Sequence, residues 1–292
     1  MNDQPLPPGL YLVATPIGNL EDITLRALRV LKGADRIACE DTRHTQKLLN
    51  HFGIDTQTTS YHEHNEAEKA RELIEELKQG ARIAVVSDAG VPGISDPGMV
   101  LVRASIEAGI AVYPIPGANA AISAVVASGL PTGNFFYAGF LPAKSGARRA
   151  ELERLAALVS HEEALTLVFY EAPHRILEAL DDVEKIWGGE CRVVVARELT
   201  KLHEEFLRGT ASDVRREMAS GECVRGEITL LVEAKPLSSK ATDSRSSLTE
   251  RVAELQASEG IDEMAALKRA ARERGISKSE AYREMQRARG RR

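Results

Sequence analysis

The sequence predicts an α/β protein made of two α/β domains and a small helical extension. Short apolar runs alternate with amphipathic segments over the first 117 residues, which is typical of a mostly parallel open sheet. A second alternating series follows, and a polar, Ser-rich stretch then separates it from a basic helical segment. The predicted organisation is therefore an N-terminal domain (1–117), a second domain (118–235), a flexible linker (236–247) and a helical extension (248–292).

The first domain is predicted to contain five strands and four helices. The apolar runs place its strands at residues 10–14, 36–39, 58–61, 82–86 and 110–115. The leucines expected to face the core from the first helix are Leu25, Leu28 and Leu31. We expect this helix to be capped near Asp22, the third to open at Asn65, and the fourth to start with Asp96 as its N-cap and Pro97 as its first residue.

The second domain is predicted to be mixed rather than purely parallel. Its strands are expected at residues 135–140, 165–170, 192–196 and 228–234, and the last elements lie close together in sequence, which favours antiparallel pairing. In the extension, one helix is predicted near 249–258, one begins at Asp262, and an S-x-x-E capping box at 277–280 opens the last. This pattern resembles a helix-turn-helix, although a helical hairpin with a charged solvent face would look the same.

Composition and charge exclude several classes of protein. The chain has 292 residues, 43% of them apolar and 28% charged, as in ordinary globular proteins with a sizeable core. Its net charge of −5 argues against a uniformly basic nucleic-acid binder. Residues 268–292, however, hold ten Lys/Arg against three Asp/Glu, so an anionic partner is expected at this end of the chain.

Cysteine usage and hydropathy indicate a cytoplasmic protein without a membrane segment. Cys39, Cys191 and Cys223 are odd in number and form no C-x-x-C, so neither a disulfide framework nor a thiolate zinc site is predicted. The first residues lack the basic and apolar regions of a signal peptide. The most apolar helix, at 118–130, is too short to span a bilayer.

The common catalytic and phosphate-binding motifs are missing. The sequence has no G-x-G-x-x-G, no G-x-x-x-x-G-K-[ST] and no G-x-S-x-G. His62 and His64 are two residues apart, but no third ligand stands at a familiar spacing, so no metal site is predicted.

Polar clusters follow four of the predicted strands, at 40–44, 87–98, 171–175 and 197–201. Open α/β sheets bind ligands outside the carboxyl ends of their strands, so these clusters are expected to line one crevice, although each alone could be a solvated loop. The stretch 86–98 holds three glycines, two prolines and two aspartates. Such a loop can wrap a small molecule with main-chain groups, or it can be an elaborate surface turn.

The motifs of these clusters resemble one known family. They are VATPIGNLEDITLRAL (13–28), CEDTR (39–43), SDAGVPGISDPG (87–98), PIPGANAAISA (114–124), GFLP (139–142), FYEAPHR (169–175), ARELTK (196–201) and GEITLLVE (226–233). Together they look like the tetrapyrrole-methylase-like superfamily of AdoMet-dependent methyltransferases. SKSEAYR in the tail resembles the C-terminal extension of one branch, which methylates a cytidine 2′-hydroxyl in small-subunit ribosomal RNA.

The resemblance implies a cofactor cleft between two α/β domains, and usually a homodimer. It implies S-adenosyl-L-methionine as the cofactor, with small-subunit ribosomal RNA or the assembled small subunit as the partner. The residues that match the family's cofactor-binding positions are Pro16, Asp88, Ala89, Gly90, Ile94, Ala120, Ala121, Tyr170, Ala196 and Thr229.

One departure from the family bears on the substrate. Relatives that methylate tetrapyrroles usually carry an aspartate before the loop proline, in a G-D-P pattern, whereas this chain has Gly90-Val91-Pro92. The difference points away from tetrapyrroles and leaves the main-chain cofactor loop in place. The alternatives are methylation of a tetrapyrrole, or a non-catalytic RNA-binding role in ribosome assembly.

Acid–base and RNA-binding groups are expected at the strand ends and in the tail. Candidates for proton transfer or orientation are Glu171, His174, Glu198 and Lys201. Candidates for phosphate contacts are Arg43, Arg175, Arg197, Lys268, Arg269, Arg272, Lys278 and Arg283. Alternatively, the glutamates and arginines at 171–175 and 197–198 form structural ion pairs.

Overall fold

The computed structural model of this chain describes residues 5–159, 164–221, 225–236, 248–273 and 278–289. It divides into two compact units, Met1–Pro236 and Leu237–Arg292. The larger unit contains two five-stranded sheets, and the smaller unit is helical. The predicted α/β fold class with a helical extension is confirmed.

The first sheet is entirely parallel, with strand order β3-β2-β4-β1-β5. Its strands are β1 (Gly9–Val13), β2 (Arg36–Cys39), β3 (Thr58–Ser60), β4 (Arg82–Val86) and β5 (Val112–Ile115). Its helices are α1 (Leu25–Gly33), α2 (Thr42–His51), α3 (Glu66–Lys78) and α4 (Met99–Glu107). Apolar clusters cover both faces, which explains why the strands other than the edge strand β3 are short, mostly apolar runs. The carboxyl ends of all five strands therefore meet at one edge.

Two parts of the prediction for α1 are wrong: the residue that caps the helix, and the expectation that Leu25 faces the core. The hydroxyl of Thr24, not the carboxylate of Asp22, caps the helix by accepting a hydrogen bond from the amide of Ala27. A separate 3₁₀ turn occupies Leu20–Asp22 and shifts the helix start by two residues. The buried residues of α1 are Ala27, Val30 and Leu31, while Leu25 is 75% exposed.

Asn65 is the N-cap of α3, as predicted, but its side chain makes no capping hydrogen bond. Its Oδ1 accepts a hydrogen bond from the amide of His62, and its Nδ2 donates to the carbonyl of Ser60. The side chain therefore closes the turn that precedes α3, and it makes no capping bond within α3.

The start of α4 differs from the expected Asp96-Pro97 cap. The helix begins at Met99, and its N-cap is Gly98, with φ of +147°. The carbonyl of Pro97 accepts a hydrogen bond from the amide of Gly93 at 3.2 Å, which closes a loop over residues 93–97. Asp96 belongs to this loop and lines a cavity instead of capping the helix.

The second sheet is mixed, as predicted, with strand order β6-β7-β10-β8-β9. Its strands are β6 (Phe135–Phe140), β7 (Leu165–Glu171), β8 (Arg192–Arg197), β9 (Glu205–Thr210) and β10 (Ile228–Ala234). Only β6 and β7 pair in parallel. Its helices are α5 (Ala120–Ser128), α6 (Ser145–Ala156), α7 (Ile176–Trp187) and α8 (Ala211–Ser220). The helices α6, α7 and α8 pack on one face, and α5 packs on the other.

A buried ion pair joins α6 to α7. Arg148 on α6 is 1% exposed, and its Nε donates to Oδ2 of Asp182 at 2.8 Å. Its Nη2 contacts Glu178 at 3.0 Å, but the Glu178 side chain is 66% exposed. The buried guanidinium therefore depends on one buried carboxylate and one solvated carboxylate.

The described part of the smaller unit consists of three helices, α9 (Leu248–Glu259), α10 (Glu263–Glu273) and α11 (Lys278–Arg289). Its core contains Leu248, Val252, Leu255, Ala266, Leu267, Ala270, Ala271, Ala281 and Met285. The Asp262 carboxylate accepts a hydrogen bond from the amide of Ala265 and so opens α10. The predicted capping box at 277–280 rests on Ser277, which lies outside the described residues. Within the described ranges, no helix has the length and hydrophobicity needed to cross a membrane.

We expect Asp182→Ala to lower the free energy of unfolding by about 3–5 kcal/mol, because it leaves the buried Arg148 without its buried partner. Glu178→Ala, on the same helix, should cost less than about 1 kcal/mol because that carboxylate is mostly solvated. Urea denaturation of both variants gives the comparison. Equal losses of unfolding free energy in the two variants would show that burial of the Asp182–Arg148 pair adds no extra stability.

Candidate active site

The loops after β1 and β4 are held together by two main-chain hydrogen bonds. The amide of Thr15 donates to the carbonyl of Gly90 at 2.9 Å, and the amide of Gly90 donates to the carbonyl of Thr15 at 3.1 Å. Gly90 has φ of +79°, a conformation that glycine adopts without steric cost. The bridge brings the first loop of the chain against the stretch 86–98.

A cavity of about 400 Å³ lies beside this bridge. Residues at the carboxyl ends of β7 and β8 and at the start of β10 form one side, and the other is formed by Ile17, Ala89, Gly90, Val91, Ile94, Ser95 and Asp96. Its wall is mostly apolar, with a few polar groups such as Asp96, Asn119 and Glu171. Cavities of this size and character are typical of small-molecule sites.

Most of the residues predicted to bind the cofactor line this cavity. They are Ala89, Gly90, Ile94, Ala120, Tyr170, Ala196 and Thr229. Three of them form a row across the second sheet, because Thr229 on β10 pairs with Tyr170 on one side and with Ala196 on the other. The sequence places these three residues in distant motifs, and the antiparallel register brings them side by side.

The other three predicted cofactor residues lie elsewhere. Pro16 and Asp88 line a second cavity, of about 510 Å³. Ala121 is buried in the core between α5 and the second sheet and is not among the residues that line either cavity. The side chain of Ala121 therefore packs under the helix, while its neighbour Ala120 faces the cavity.

The second cavity is more polar than the first and adjoins it. It is bordered by the first loop, by α2, by the end of β4 and by two residues of the second half, Lys201 and Glu227. The residues that border both cavities are Ile17, Ala89 and Glu227. A ligand in one cavity would therefore lie across this shared wall from a ligand in the other.

Glu171 forms a buried ion pair at the edge of the first cavity. Its Oε1 lies 2.5 Å from Nη2 of Arg175 and accepts the amide hydrogen of Ala172. Its Oε2 is buried and has no hydrogen-bond partner among the described residues. The pairing expected as the structural alternative is therefore present, and it leaves one carboxylate oxygen buried without a partner.

Lys201 is held by two carboxylates at the junction of the cavities. Its Nζ lies 2.8 Å from Glu198 and 3.2 Å from Glu227. The hydrogen bond from Lys201 lowers the pKa of Glu198, which makes Glu198 a weaker proton acceptor. Burial opposes the charge on Lys201, but its bonds to both glutamates prevail and raise its pKa. The ammonium is therefore a fixed positive charge.

The backbone around Lys201 is strained. Glu198 and Thr200 have φ of +52° and +67°, in the left-handed region that non-glycine residues rarely adopt. This turn places the Lys201 stem against Gly18, where an added Cβ would lie 2.3 Å from Cγ of Lys201. A glycine in the first loop thus allows a lysine of the second half to reach the junction.

The remaining predicted residues are not brought into the cavities. His174 is exposed and lines neither of them. Arg197 pairs with Glu205 at 2.7 Å rather than with Glu198. Arg43 is 89% exposed and contacts Asp41 at the start of α2. Lys268, Arg269 and Arg283 are exposed on the smaller unit, while the side chains of Arg272 and Lys278 lie outside the described residues.

Ser95, Asp96 and Leu199 lie in the predicted clusters 87–98 and 197–201 but were not named as site residues, and Phe140 and Glu227 also line the first cavity without having been predicted. The Ser95 hydroxyl lies 2.6 Å from the Tyr137 hydroxyl, which ties the loop after β4 to β6. Ser95 has φ of +59°, so the strained turns of the loops border the cavity on both sides. The D-P-G sequence at 96–98 is typical of a tight turn as well as of a helix cap, and here it belongs to the turn that borders the cavity.

Asp96 lies near other acidic groups. Burial, with the charges of Glu40 and Asp88, raises the pKa of Asp96 to about 6. Burial and the charge of Asp88 also raise the pKa of Glu40. This side of the cavity therefore carries negative charge that is incompletely compensated and favours a cationic ligand. Among the described residues, no group of three His, Cys, Asp or Glu side chains is arranged to hold a metal ion.

The sequence profile of the family described as Tetrapyrrole (Corrin/Porphyrin) Methylases matches residues 9–215. The chain belongs to this family. The match covers both sheets apart from β10, so the expected family, fold class and methyltransferase activity are confirmed.

Members of the family with high sequence identity carry one name. The chain is 48% identical over 278 residues to Ribosomal RNA small subunit methyltransferase I of Halalkalibacterium halodurans, covering 94% of this chain and 93% of that protein. It is 51% identical over 230 residues to the protein of the same name from Haemophilus influenzae, covering 78% and 80%. These alignments extend the likeness beyond the family profile to most of the chain.

Two solved structures of methyltransferases share the fold at low identity. The methyltransferase CobJ has a TM-score of 0.58 at 19% identity, covering 77% of this chain and 94% of that one. Uroporphyrin-III C-methyl transferase from Thermus thermophilus, complexed with S-adenyl homocysteine, has a TM-score of 0.52 at 19% identity, covering 77% and 98%.

We expect Asp96→Asn to stabilise the fold more at pH 7.5 than at pH 4.5. The raised pKa means that the folded state binds more protons than the unfolded state between about pH 4 and 6. The unchanged protein therefore loses stability as the pH rises through that window, and asparagine removes the loss. Urea denaturation at both pH values measures the difference. A variant whose free-energy change is the same at both would contradict the burial of this carboxylate.

Proposed function

We propose that this protein is an AdoMet-dependent methyltransferase that methylates the 2′-hydroxyl of a cytidine in small-subunit ribosomal RNA. The observation that carries the proposal is the first cavity, which seven residues at the family's cofactor-binding positions line from both halves. The relatives named Ribosomal RNA small subunit methyltransferase I, similar over most of the chain, support the class of substrate. The cytoplasm, where ribosomal RNA is found in bacteria, is the compartment we propose.

The cavity fits the chemistry of AdoMet. Small residues such as Ala89, Gly90 and Ala120 leave the main chain accessible on one side, so the backbone can contact a ligand directly. The apolar wall suits an adenine ring, and the side chains of Asp96 and Asn119 at the same wall offer polar groups to the rest of the ligand. Asp96 adds negative charge, which suits the cationic ligand.

AdoMet, when bound, supplies an electrophilic methyl group on a positively charged sulfur. The residues of the shared wall have to hold the ribose hydroxyl in line with it and exclude water. The hydroxyl oxygen forms the new bond to the methyl carbon while the carbon–sulfur bond breaks and sulfur keeps the electron pair. The hydroxyl proton leaves to an acceptor, either a carboxylate of the cleft or water.

The predicted catalytic residues divide into two roles within this proposal. Glu171 borders the first cavity with its carboxylate buried against Arg175, and we retain it as a candidate proton acceptor or orienting group. Lys201, held charged by Glu198 and Glu227, is a candidate to orient the acceptor at the shared wall. His174 is exposed and lines neither cavity, so its position gives less support to a catalytic role.

We also propose that the chain forms a homodimer and that the smaller unit contacts RNA. Large apolar side chains are exposed on α4, α5 and β6, and a surface of this kind is typical of a protein interface. These residues are Met99, Ile106, Ile122, Val126, Phe135, Phe136 and Phe140.

The charge of the tail and the exposed positions of Lys268, Arg269 and Arg283 support an RNA contact in the smaller unit.

Labelled AdoMet distinguishes the possible substrates. We expect incubation with small ribosomal subunits to place the label in ribosomal RNA at a ribose 2′-oxygen, as nuclease digestion followed by mass spectrometry would show. Uroporphyrinogen should stay unlabelled. Label in the tetrapyrrole would overturn the proposal, and label in neither would favour a non-catalytic role.

We expect Ala120→Leu to weaken AdoMet binding by about tenfold or more, because the larger side chain would occupy the first cavity. Ala127→Leu is the matched control, since Ala127 lies on the same helix and is exposed. Isothermal titration calorimetry with AdoMet measures both affinities. Similar affinities for the two variants would exclude this cavity as the cofactor site.

A further inference from the structure

The second cavity differs from the first in the groups that line it. It is bordered by the polar residues Thr15, Thr45, Ser87, His44, Lys47 and Lys201, with Glu227 in the wall that it shares with the first cavity. Such a set of donors and acceptors suits a polar ring and a sugar. If AdoMet occupies the first cavity, this space is the place from which an acceptor reaches the methyl group.

The helix α2 gives this cavity a basic rim. Its ten residues, TRHTQKLLNH, include Arg43, His44, Lys47 and His51 and no acidic residue, although the whole chain carries a net charge of −5. Arg43 and Lys47 are four residues apart and so lie on one face of the helix. Both are exposed.

Lys47 lies on the ridge between two concave surfaces. On one side it borders the second cavity, and on the other it borders a shallow groove formed with Thr42, Arg43, Gln46, Asn50 and Thr58. Within the described part of the chain, no carboxylate forms an ion pair with Lys47, whereas Arg43 is partly compensated by Asp41. The positive charge of Lys47 is therefore directed to solvent at the mouth of the cavity.

We propose that the second cavity receives the ribonucleotide to be methylated, and that Lys47 and Arg43 hold the phosphates of the strand that flanks it. The inference rests on the proposed function and names the strand-binding surface for it. A nucleoside in the cavity would present its ribose to the wall of Ile17, Ala89 and Glu227, while the strand continues along α2 into the groove. Lysine and arginine contacts to phosphates position a strand without reading its sequence.

The test uses the full-length protein, small ribosomal subunits and labelled AdoMet. In Lys47→Ala we expect the KM for subunits to rise about tenfold, because one phosphate contact is lost. For the same reason, the steepness of the decrease in log affinity with log salt concentration should be smaller by about 0.7–0.9. Arg43→Ala combined with Lys47→Ala should give a larger effect on both. Lys47→Arg should keep both values close to those of the unchanged protein. The AdoMet affinity, measured by calorimetry, should stay unchanged in all of them.

Lys32→Glu is the matched control, because Lys32 is exposed in the last turn of α1 in the same half of the protein. It should leave the KM and the salt slope as they are. A KM and a slope unchanged in both Lys47→Ala and the double variant would overturn the inference while the proposed function stands. A weakened AdoMet affinity in Lys47→Ala with an unchanged KM for subunits would also overturn it, since the helix would then serve the cofactor. Failure of the unchanged protein to methylate any ribosomal RNA would instead remove the proposed function.

Discussion

The pair of hydrogen bonds between Thr15 and Gly90 is the interaction on which the arrangement of the cleft depends. It joins two loops that follow neighbouring parallel strands, and it requires a backbone conformation that glycine supplies. Through it, Ile17 and Ala89 come together in the wall between the two cavities. The parallel sheet brings the strand ends to one edge, but this bridge fixes which residues of the two loops face each other.

The second sheet completes the cleft by a different device. Because β10 pairs antiparallel with both β7 and β8, residues from three strands form a continuous row at the cavity wall. The turn after β8 then carries Leu199 to the first cavity and Lys201 to the second, at the cost of left-handed backbone at Glu198 and Thr200. The strained backbone conformations of Ser95, Glu198 and Thr200 therefore lie where the two halves of the larger unit meet. Backbone strain of this kind is common at functional sites.

The alternation of apolar runs and polar strand ends was sufficient to predict the fold class and nine of the ten described strands, all except β9. It was not sufficient for details that depend on tertiary contacts. The position of β10 between β7 and β8 is a long-range pairing that no local pattern reveals. Leu25 fits a helical stripe but is exposed, because Thr24 rather than Asp22 sets the start of α1. Asp96 has a good capping sequence, yet the Gly93–Pro97 bond turns its loop toward the cavity. Leu199 and Glu227 were missed because the direction of a side chain depends on loop geometry.

The first cavity is walled by both halves of the larger unit, so filling it has a consequence for folding. A ligand that needs both walls binds only when the halves are docked, and its binding free energy is added to the stability of that docked state. At a concentration a hundred times its Kd, such a ligand contributes about 2.7 kcal/mol. A ligand of this cavity would therefore stabilise the docked arrangement of the two halves more strongly as its own abundance rises.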